Sequence, residues 1–428
     1  MKILVCNAGS SSLKFSLLKA GDESFLAEGS IDWTTKPTSL LFHRAGQQPI
    51  REVLNVERHE EAAARIFADL QAGSSPPLAR LEELQAVAHR VVHGGRYTSA
   101  VQITPEVKRQ IEKLASLAPL HNPATLKVIA AVEEIVPQVP QIAAFDTAFH
   151  TTLSRAASVY PVPFEWTRKW GLLRYGFHGL SHSYCATRVA EMLRRQDLRV
   201  VIAHLGNGAS ISAVRNGICM DTSMGFTPLE GIMMGTRSGT VDPGMLIYLL
   251  RNGLNVDDLD RGLNYQSGLL GVSGISSDMR ELLAVARTSP DAQLAIDMYV
   301  HRIKQTIGAM SATLGGMDCL VFTAGVGEHS PEIRARVCEN LDFLGIELDR
   351  NSNENCKPDA DITSARSRAR VLVIATREDL TIVREARRLL SGATGSSSKL
   401  SGLARSKQYS STEGVKNHVH SNHGTRYR

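Results

Sequence analysis

The chain has 428 residues, 43% of them hydrophobic, and a formal net charge of +5. This length supplies enough material for two domains with buried cores. No run of eighteen apolar residues occurs and Met1 leads directly into a strand pattern, so we expect neither a membrane-spanning helix nor a cleaved signal. The six cysteines have no CxxC spacing, which argues against a disulfide or zinc framework and favours reduced thiols in a cytoplasmic protein.

The excess positive charge lies in the last part of the sequence. Residues 391–428 contain six basic side chains and one acid, Glu413, so the rest of the chain sums to zero. The segment is rich in Ser, Gly, Asn and His, a composition typical of disordered extensions. We therefore expect a solvated tail, which is favoured over a nucleic-acid-binding one, and no nucleic acid partner.

A glycine-containing hairpin is predicted at each end of the first two hundred residues. Residues 2–21 (KILVCNAGSSSLKFSLLKAG) and 200–217 (VVIAHLGNGASISAVRNG) both read as a strand, a loop of small residues and a return strand. Such loops let backbone N–H groups approach phosphate oxygens, although most glycine hairpins are only turns. Two of them indicate a duplicated unit whose facing loops hold one nucleoside triphosphate.

Between these hairpins the pattern predicts further strands at 31–52, 84–93 and 141–145, and helices at 57–70, 105–118 and 123–136. Arg90 interrupts the apolar run AVAHRVV, so its charge is either paired with an acid or faces a polar cleft. Asn122 is the predicted N-cap of the third helix. Asp146 follows a strand, where an acid is a metal or catalytic group or an N-cap.

His178 lies in a glycine-flanked turn within RYGFHGLSH, and a helix is predicted from Ser181 to about residue 195. His178 and His182 are four residues apart, a spacing that suits a metal, but no third ligand is evident. A hydrogen bond from His178 to an anion is therefore favoured. Residues 223–244 form a long loop dense in Gly, Thr and Ser, where Arg237 is either an anion ligand or a surface arginine.

The last third of the chain predicts a long helix at 289–314, a strand at 370–375 and a helix at 376–390 that opens with the capping-box spacing of Thr376 and Asp379. In DCLVFTAGVGEHS, residues 318–330, a strand is expected to end in a glycine turn. A helix should then begin with Ser330 as its N-cap and Pro331 at its first position. This order of strand, glycine turn and helix is a usual nucleotide site.

Ten segments, in order, resemble the acetate kinase family over about residues 1–390. Nine of them are NAGSSSLKF, HRVVHGG, PLHNP, FDTAFH, RYGFHGLSH, AHLGNGAS, MGFTPLEGIMMGTRSG, SGLLGVSGISSDMR and FTAGVGEHSPEIR; the tenth is the final strand and helix. The resemblance implies an α/β protein with two duplicated actin-like, ribonuclease H-like domains and an active site in the cleft between them. The domains would span 1–147 and 148–380, with the C-terminal helix, about 381–390, crossing back to the first. A homodimer is also implied.

The activity implied by the resemblance is reversible transfer of the γ-phosphoryl group of ATP to acetate, giving acetyl phosphate and ADP, with Mg²⁺ or possibly Mn²⁺ as cofactor. The implied catalytic residues are Asp146, Arg90, Arg237, His178 and His121, and the metal-site residues are Asn7 and Glu378 together with Asp146. The implied acetate-binding residues are Arg90, Val92, Leu120, Phe177 and Pro228. The implied ATP-binding residues are Ser10, Ser12, Lys14, His204, Leu205, Gly206, Asn207, Gly208, Gly325, Val326 and Gly327.

These residue types suit the implied chemistry. A carboxylate nucleophile needs no general base, so the protein must screen the repulsion of two anions and stabilise charge on the transferring phosphoryl group. The sequence departs from the family pattern at Leu180, Thr240, His329 and Arg377, which puts rate and affinity in question rather than reaction type. Two other readings remain: a propionate or short-chain acid kinase on the same scaffold, and an actin-like or Hsp70-like ATPase.

Overall fold

Two β-sheets form the framework of the computed structural model, which describes residues 1–34 and 37–392. The first sheet has the strand order β5-β4-β3-β2-β1-β6-β8-β7. Its strands are β1 (Lys2–Gly9), β2 (Ser12–Lys19), β3 (Phe25–Asp32), β4 (Thr38–Arg44), β5 (Ile50–Leu54), β6 (Leu84–Val91), β7 (Val101–Gln102) and β8 (Gln141–Phe145).

The second sheet has the order β11-β10-β9-β12-β14-β13. Its strands are β9 (Arg199–Leu205), β10 (Ala209–Arg215), β11 (Ile218–Thr222), β12 (Cys319–Thr323), β13 (Ala360–Asp361) and β14 (Arg370–Val373). Both predicted hairpins are present, because β1 pairs antiparallel with β2 and β9 pairs antiparallel with β10.

The α-helices cover both sheets and fill the space between them. They are α1 (His59–Gln71), α2 (Pro105–Lys113), α3 (Asn122–Ile135), α4 (Arg155–Ser158), α5 (Phe164–Trp170), α6 (Gly179–Leu193), α7 (Pro243–Arg251), α8 (Val256–Tyr265), α9 (Gly268–Ser273), α10 (Met279–Val285), α11 (Pro290–Leu314), α12 (Ala324–His329), α13 (Pro331–Cys338), α14 (Arg350–Glu354) and α15 (Glu378–Leu390). None of the helices in the described part of the chain is long and apolar enough to cross a membrane.

The two sheets repeat one topology. In the first sheet, β1 and β2 form the hairpin, and β2 also pairs antiparallel with β3. On the other side of the hairpin, β1 pairs parallel with β6, and β6 pairs parallel with β8. The second sheet does the same with β11-β10-β9 and the parallel strands β12 and β14. The duplicated unit predicted from the two hairpins is therefore present. The carboxyl ends of the parallel strands are where ligands usually bind.

The side chains of β1 point alternately into two hydrophobic cores, one on each face of the first sheet. Ile3 and Val5 belong to a cluster that also contains Val200 and Ile202 of β9, with α6 and α15 between the sheets. Leu4 and its alternate neighbours instead pack against α1 and α3. Successive strand side chains point to opposite faces, so each sheet is covered on both sides. The layers run α1 and α3, first sheet, α6 and α15, second sheet, and α11 on the outer face.

Two predicted caps are wrong. The N-cap of α3 is His121, not Asn122; the Asn122 side chain instead accepts from His93 N and donates to the carbonyls of His93 and Ile111. The capping box at Thr376 also fails, because α15 begins two residues later. A tertiary partner is available to each side chain, and it replaces the local backbone donor that a cap would use.

Two predicted starts are also shifted. β12 runs directly into α12, so Gly325 and Gly327 lie in a short helix and not in a turn before one; Ser330 does cap the next helix, α13. Helix α6 begins at Gly179, two residues before Ser181. The predicted tail at 391–428 lies outside the described residues from 393 onward, and the domain boundaries at 147 and 380 remain predictions.

Candidate active site

Arg90 is the centre of a cluster of polar side chains from three elements. It projects from β6, and its Nε and Nη2 donate to Asp146 at 3.1 and 2.6 Å. Its Nη1 lies 3.4 Å from Asn7 Oδ1 on β1 and 3.5 Å from Glu378 Oε2 at the start of α15. The first alternative raised for Arg90 is confirmed, because it pairs with acids; the cluster lies near the carboxyl ends of the parallel strands β1, β6 and β8.

The electrostatics of this cluster follow from its burial. Burial raises the pKa of Asp146, whose side chain is 1% exposed, and the ion pair with Arg90 opposes that rise. For Arg90, burial lowers the pKa, but Asp146 and Glu378 outweigh it and the pKa is raised overall. The guanidinium is therefore permanently charged at the end of the first sheet.

The facing wall is built from the second half of the chain. A Cβ atom placed on Gly208 would lie 2.7 Å from Arg237 Nη2 and 3.4 Å from His178 Nε2, so only glycine leaves these two groups open to the loop. Arg237 is oriented by a hydrogen bond from Nη1 to the carbonyl of Pro228, 2.7 Å away. His178 has a left-handed backbone, φ 56°, at the N-cap of α6.

The site histidines are held neutral. Burial lowers the pKa of His178, and the neighbouring His204, Arg90 and Arg237 lower it further. Burial lowers the pKa of His204 to about 4, and it also lowers the pKa of His121. His178 and His204 stack with ring centroids 4.2 Å apart. A neutral imidazole beside two arginines can donate one hydrogen bond to an anion without adding charge.

A cavity of about 210 Å³ lies beside His121 and Arg237. Leu120 and Pro228, two of the predicted acetate-binding residues, line it together with residues of α8, including Tyr265. The other three are not part of its lining: Arg90 belongs to the cluster described above, and Val92 and Phe177 are apolar. The latter two lie buried in the core cluster that also contains Ala118, behind the cavity wall.

A larger cavity, about 790 Å³, brings together the loop residues Gly206 and Asn207 and the α12 residues Gly325 and Val326. Part of the remaining wall is a segment to which the sequence analysis assigned no role, residues 277–280, with Leu283 of α10; residues 329–332 and Leu269 complete it. The signal that could have found residues 277–280 is the motif SGLLGVSGISSDMR, which ends in a charged pair: Arg280 donates to Asp278 at 2.6 Å.

The short helix α12 is held from two sides, by Arg334 and by Thr376. Arg334, 1% exposed, donates to the carbonyls of Gly327 and Glu328 at 2.9 and 2.8 Å. The Glu328 carboxylate accepts from Ala324 N and Thr376 N, each at 2.9 Å. Thr376 therefore connects α12 to the segment that carries Glu378, which links the larger cavity to the Arg90 cluster.

Three predicted ATP-binding residues lie elsewhere around the first hairpin. Lys14 pairs in register with Asn7 on the neighbouring strand, but it lines a separate cavity with Glu28 and His43. Ser10 is exposed, and Ser12 lies at the start of β2. Their role toward a nucleotide remains a prediction.

The four departures from the family pattern have structural places. Leu180 is buried in the core between the sheets, and its carbonyl accepts from Thr381 Oγ1. Thr240 Oγ1 accepts from Gly231 N, and His329 lines the larger cavity. Arg377 precedes Glu378 but turns to Asp379, with Nε 3.1 Å from its carboxylate, and so does not pair with the Arg90 cluster.

The oxygen atoms around Arg90 fit a hard cation by their chemistry. Asn7, Asp146 and Glu378 supply an amide oxygen and two carboxylates within 3.5 Å of one guanidinium. Mg²⁺ and Mn²⁺ prefer such oxygen ligands. In contrast, no group of three or more His, Cys, Asp or Glu side chains among the described residues has the geometry of a metal site, which leaves the spacing of His178 and His182 without a third ligand.

We expect the folded protein to lose stability as the pH falls from about 6.5 toward 4. Burial lowers the pKa of His89, His93, His150 and His204 to about 4 each, so the folded state stays unprotonated while the unfolded chain binds protons. Each such residue contributes up to about 3 kcal/mol of lost stability across this window.

The check is the urea midpoint measured at intervals between pH 7.5 and 5. His89→Gln should reduce the slope, because one buried base is removed; the matched control is His301→Gln, at an exposed position of α11. A midpoint that does not change with pH in the unmodified protein would contradict the expectation.

Comparison with known proteins agrees with the two-sheet fold. The sequence model of the acetokinase family matches residues 2–384. Acetate kinase of Trichormus variabilis is 46% identical over 404 residues, which cover 91% of this chain and 100% of that protein. The match thus spans both sheets and all the residues described above.

Solved structures agree over the same extent. The crystal structure of Porphyromonas gingivalis acetate kinase superposes with a TM-score of 0.84 at 40% identity and covers 91% of this chain and 99% of that one. A propionate kinase from Francisella tularensis gives a TM-score of 0.83 at 38% identity, covering 90% and 98%. The duplicated sheets are therefore the two actin-like halves of this fold. The chain belongs to the acetokinase family.

Proposed function

We propose that this protein transfers the γ-phosphoryl group of ATP to acetate, reversibly, giving acetyl phosphate and ADP. The observation that carries the proposal is the position of Arg237 Nη2 and His178 Nε2 beside Gly208, between the larger cavity and the smaller one. The larger cavity has the size for a nucleotide and the smaller one for a short acid. The reacting atoms would then meet between them.

In this mechanism an oxygen of the acetate carboxylate forms a bond to the γ-phosphorus while the bond to the β,γ-bridging oxygen breaks. Both reactants are anions, so the two guanidinium groups serve to screen their repulsion. Arg90 is held by Asp146 on one wall, and Arg237 is held by the carbonyl of Pro228 on the other. Charge spread over the equatorial oxygens of a metaphosphate-like transition state is stabilised by such fixed donors.

We assign the nearby histidines to hydrogen bonding rather than to acid–base chemistry. His178 would donate to an oxygen of the transferring phosphoryl group, and His121 lies at the wall shared with the acid cavity. Their lowered pKa values keep them neutral, so they add donors without competing for a proton. Carboxylate attack needs no base, and Asp146 serves to orient Arg90.

Asn7, Asp146 and Glu378 would hold a magnesium ion, with manganese as the substitute. When bound, the ion would neutralise charge on the nucleotide phosphates, which is the usual contribution of a metal in phosphoryl transfer. The chain's own part is to bring three oxygen-bearing side chains from β1, from the end of β8 and from α15 to one point.

The direct test is an assay that couples acetate and Mg-ATP to acetyl phosphate formation, trapped as the hydroxamate. Acetyl phosphate formed in proportion to enzyme is the expected result. ATP hydrolysis that does not depend on acetate would instead favour the switch-type ATPase, against which stand the paired arginines and the separate acid cavity.

We expect acetate to have the highest kcat/KM, propionate a lower value and butyrate a poor one. Val92 packs with Phe177 behind the cavity wall, and its two methyl groups limit how far that wall can move. Val92→Ala should therefore reduce the ratio of kcat/KM for acetate to kcat/KM for propionate by roughly fourfold, which corresponds to the free energy of burying one methylene. The measurement is kcat/KM for the three acids.

Val87→Ala is the matched control, since it deletes the same two methyl groups from a buried valine of β6, the strand that ends just before Val92, but in the core that faces α1 and α3. It should leave the ratio of acetate to propionate unchanged. A preference for propionate in the unmodified protein would favour the second candidate, a propionate kinase, which the similarity to the Francisella tularensis enzyme keeps open.

We further propose a homodimer formed through α7 and α8. In neither helix is any residue buried within one chain. The exposed apolar side chains on them, here called the α7–α8 surface, are Met245, Ile247, Tyr248, Leu250, Val256 and Tyr265. Single soluble chains rarely expose so many apolar side chains together, and a second copy would cover them.

Tyr248→Glu should convert the dimer to monomers at micromolar concentration, because a carboxylate buried in an apolar interface without a partner is costly. Sedimentation or light scattering would report the mass. Phe343→Glu is the control, since it alters an exposed apolar side chain far from α7 in sequence. A Tyr248→Glu variant that stays dimeric would show that the interface does not lie at the α7–α8 surface.

We also assign the protein to the cytoplasm. All six cysteines are free thiols, and five of them are buried. Such use of cysteine suits a reducing compartment.

A further inference from the structure

Buried histidines lie behind the loop of residues 206–208, here called the phosphate loop, and the half-buried His178 reaches that loop at Gly208. A line of hydrogen bonds runs inward from that residue. His178 Nδ1 is 2.9 Å from Ser210 Oγ, Ser210 Oγ is 2.8 Å from His182 Nε2, and His182 Nδ1 is 2.8 Å from Ser212 Oγ. Ser210, His182 and Ser212 are each 0% exposed, so bulk solvent does not reach them.

From this geometry we infer that Ser212, His182 and Ser210 form a relay, named the Ser212 relay below, that keeps the proton of His178 on Nε2, the nitrogen that faces the phosphate loop. These three would be positioning residues for the reaction, acting through His178. The inference deepens the proposed function, because its value for catalysis rests on the role of His178 at the phosphoryl group.

Counting hydrogens gives the direction of the relay. Ser212 Oγ has one hydrogen-bond partner in the described part of the chain, His182 Nδ1. If its hydroxyl did not donate there, its hydrogen would be buried without an acceptor, which is costly. Ser212 therefore donates to His182 Nδ1, and a neutral His182 must carry its own proton on Nε2.

The same reasoning gives the donor and the acceptor in the two hydrogen bonds that connect His182 to His178. The Nε2–H of His182 donates to Ser210 Oγ, and the single hydrogen of Ser210 is then free to donate to His178 Nδ1. A neutral His178 that accepts at Nδ1 carries its proton on Nε2. That atom is the one 3.4 Å from the position of a Cβ on Gly208, beside Arg237 Nη2.

The reversed relay has two defects. It would leave the Ser212 hydrogen without an acceptor, and it would present the lone pair of His178 Nε2 to a phosphoryl oxygen, which repels it. The neutral state that the counting requires agrees with the lowered pKa values of His178 and His182, which burial causes first. Because the His178 tautomer is fixed before substrates bind, no free energy is needed to rearrange it during the reaction.

The decisive measurement is ¹⁵N spectroscopy of the imidazole nitrogens in protein labelled with ¹⁵N-histidine at neutral pH. The His178 signals are assigned by their loss in His178→Asn. A proton on Nε2 with a bare Nδ1 is the expected result. A proton on Nδ1, or on both nitrogens, would overturn the relay, and this readout does not depend on activity.

Kinetics test whether the tautomer matters. Ser212→Ala removes the donor that sets the direction, so kcat should fall by up to about tenfold while both KM values stay within about twofold, since hydrogen bonds to charged groups are worth this much. Ser212→Thr keeps the hydroxyl and should retain kcat. Ser311→Ala, a buried serine on α11 whose hydroxyl donates to the carbonyl of Ile307, is the matched control and should not change kcat.

The two possible failures are distinguishable. An unchanged kcat in Ser212→Ala, together with an unchanged His178 tautomer, would show that the relay does not position His178. Wild-type kcat in His178→Ala would instead remove His178 from the proposed function. The ¹⁵N result on the unmodified protein remains informative even where a variant fails to fold.

Discussion

Replacing Arg237 by alanine should lower kcat by roughly a hundredfold or more, the usual scale for removing a fixed donor to transition-state charge. Arg237 Nη2 lies beside Gly208 and His178, where negative charge would develop on the transferring group. The side chain has no carboxylate partner among the described residues. Its Nη1 donates a hydrogen bond to the carbonyl of Pro228. Its loss should therefore leave the free energy of unfolding nearly unchanged.

Steady-state kinetics in the direction of acetyl phosphate formation, with thermal unfolding of the same samples, would check this expectation. Guanidinium ions added to Arg237→Ala should restore part of kcat, because the truncation leaves room for one. Arg302→Ala is the control, since Arg302 is exposed on α11. Wild-type turnover in Arg237→Ala would remove this arginine from the mechanism.

Replacing Arg90 by alanine should lower kcat by a similar factor and, unlike the change at Arg237, should also destabilise the protein. Asp146 is 1% exposed and pairs with Arg90 through three contacts of 2.6 to 3.2 Å. Without the guanidinium, a buried carboxylate is left without its cation, which costs about 3 kcal/mol or more. The measurements are kcat and the urea-unfolding free energy.

The double variant Arg90→Ala, Asp146→Asn separates the two effects. Removing the unpaired charge should return most of the stability, but not the activity, because the charge that screens the two anions is still absent. If Arg90→Ala and the unmodified protein had the same free energy of unfolding, burial of the Asp146 carboxylate would not depend on this ion pair. Wild-type kcat in the single variant would remove Arg90 from catalysis.

The contrast between the two arginines also explains why one is paired and the other is not. Arg90 lies in a strand that is buried on both faces, where an unpaired charge is unfavourable, and the acids of β8 and α15 compensate it. Arg237 lies in a loop and not in a strand, and a single carbonyl orients it. A second anionic reactant would find this guanidinium without a competing carboxylate.

The sequence by itself determined the elements that depend on short-range patterns. Both hairpins, the strands predicted between and after them, and the long helix α11, predicted over 289–314 and found from Pro290, are present. These patterns rest on the periods of two and 3.6 and on caps within one turn, which need only neighbouring residues. The duplicated topology could also be predicted, because the two hairpins repeat one plan.

Only the tertiary structure decided where polar side chains find their partners. Asn122 and Thr376 have the spacing of caps, yet Asn122 bonds to His93 and Thr376 to Glu328, because long-range contacts outweigh one local hydrogen bond. Likewise, no pattern indicates that Arg334 would be buried under α12, or that the segment ending in Arg280 would line the larger cavity. These positions follow from how α10, α12 and α13 pack together.

The Arg90 cluster illustrates the same division. The sequence could show that Arg90, Asp146 and Asn7 each lie at or near the end of a strand, since each follows or interrupts an apolar run. That Glu378, more than two hundred residues later, reaches the same guanidinium depends on α15 packing between the two sheets. Side chains far apart in the chain meet only when the sheets enclose a common core, and this long-range packing is what local patterns do not encode.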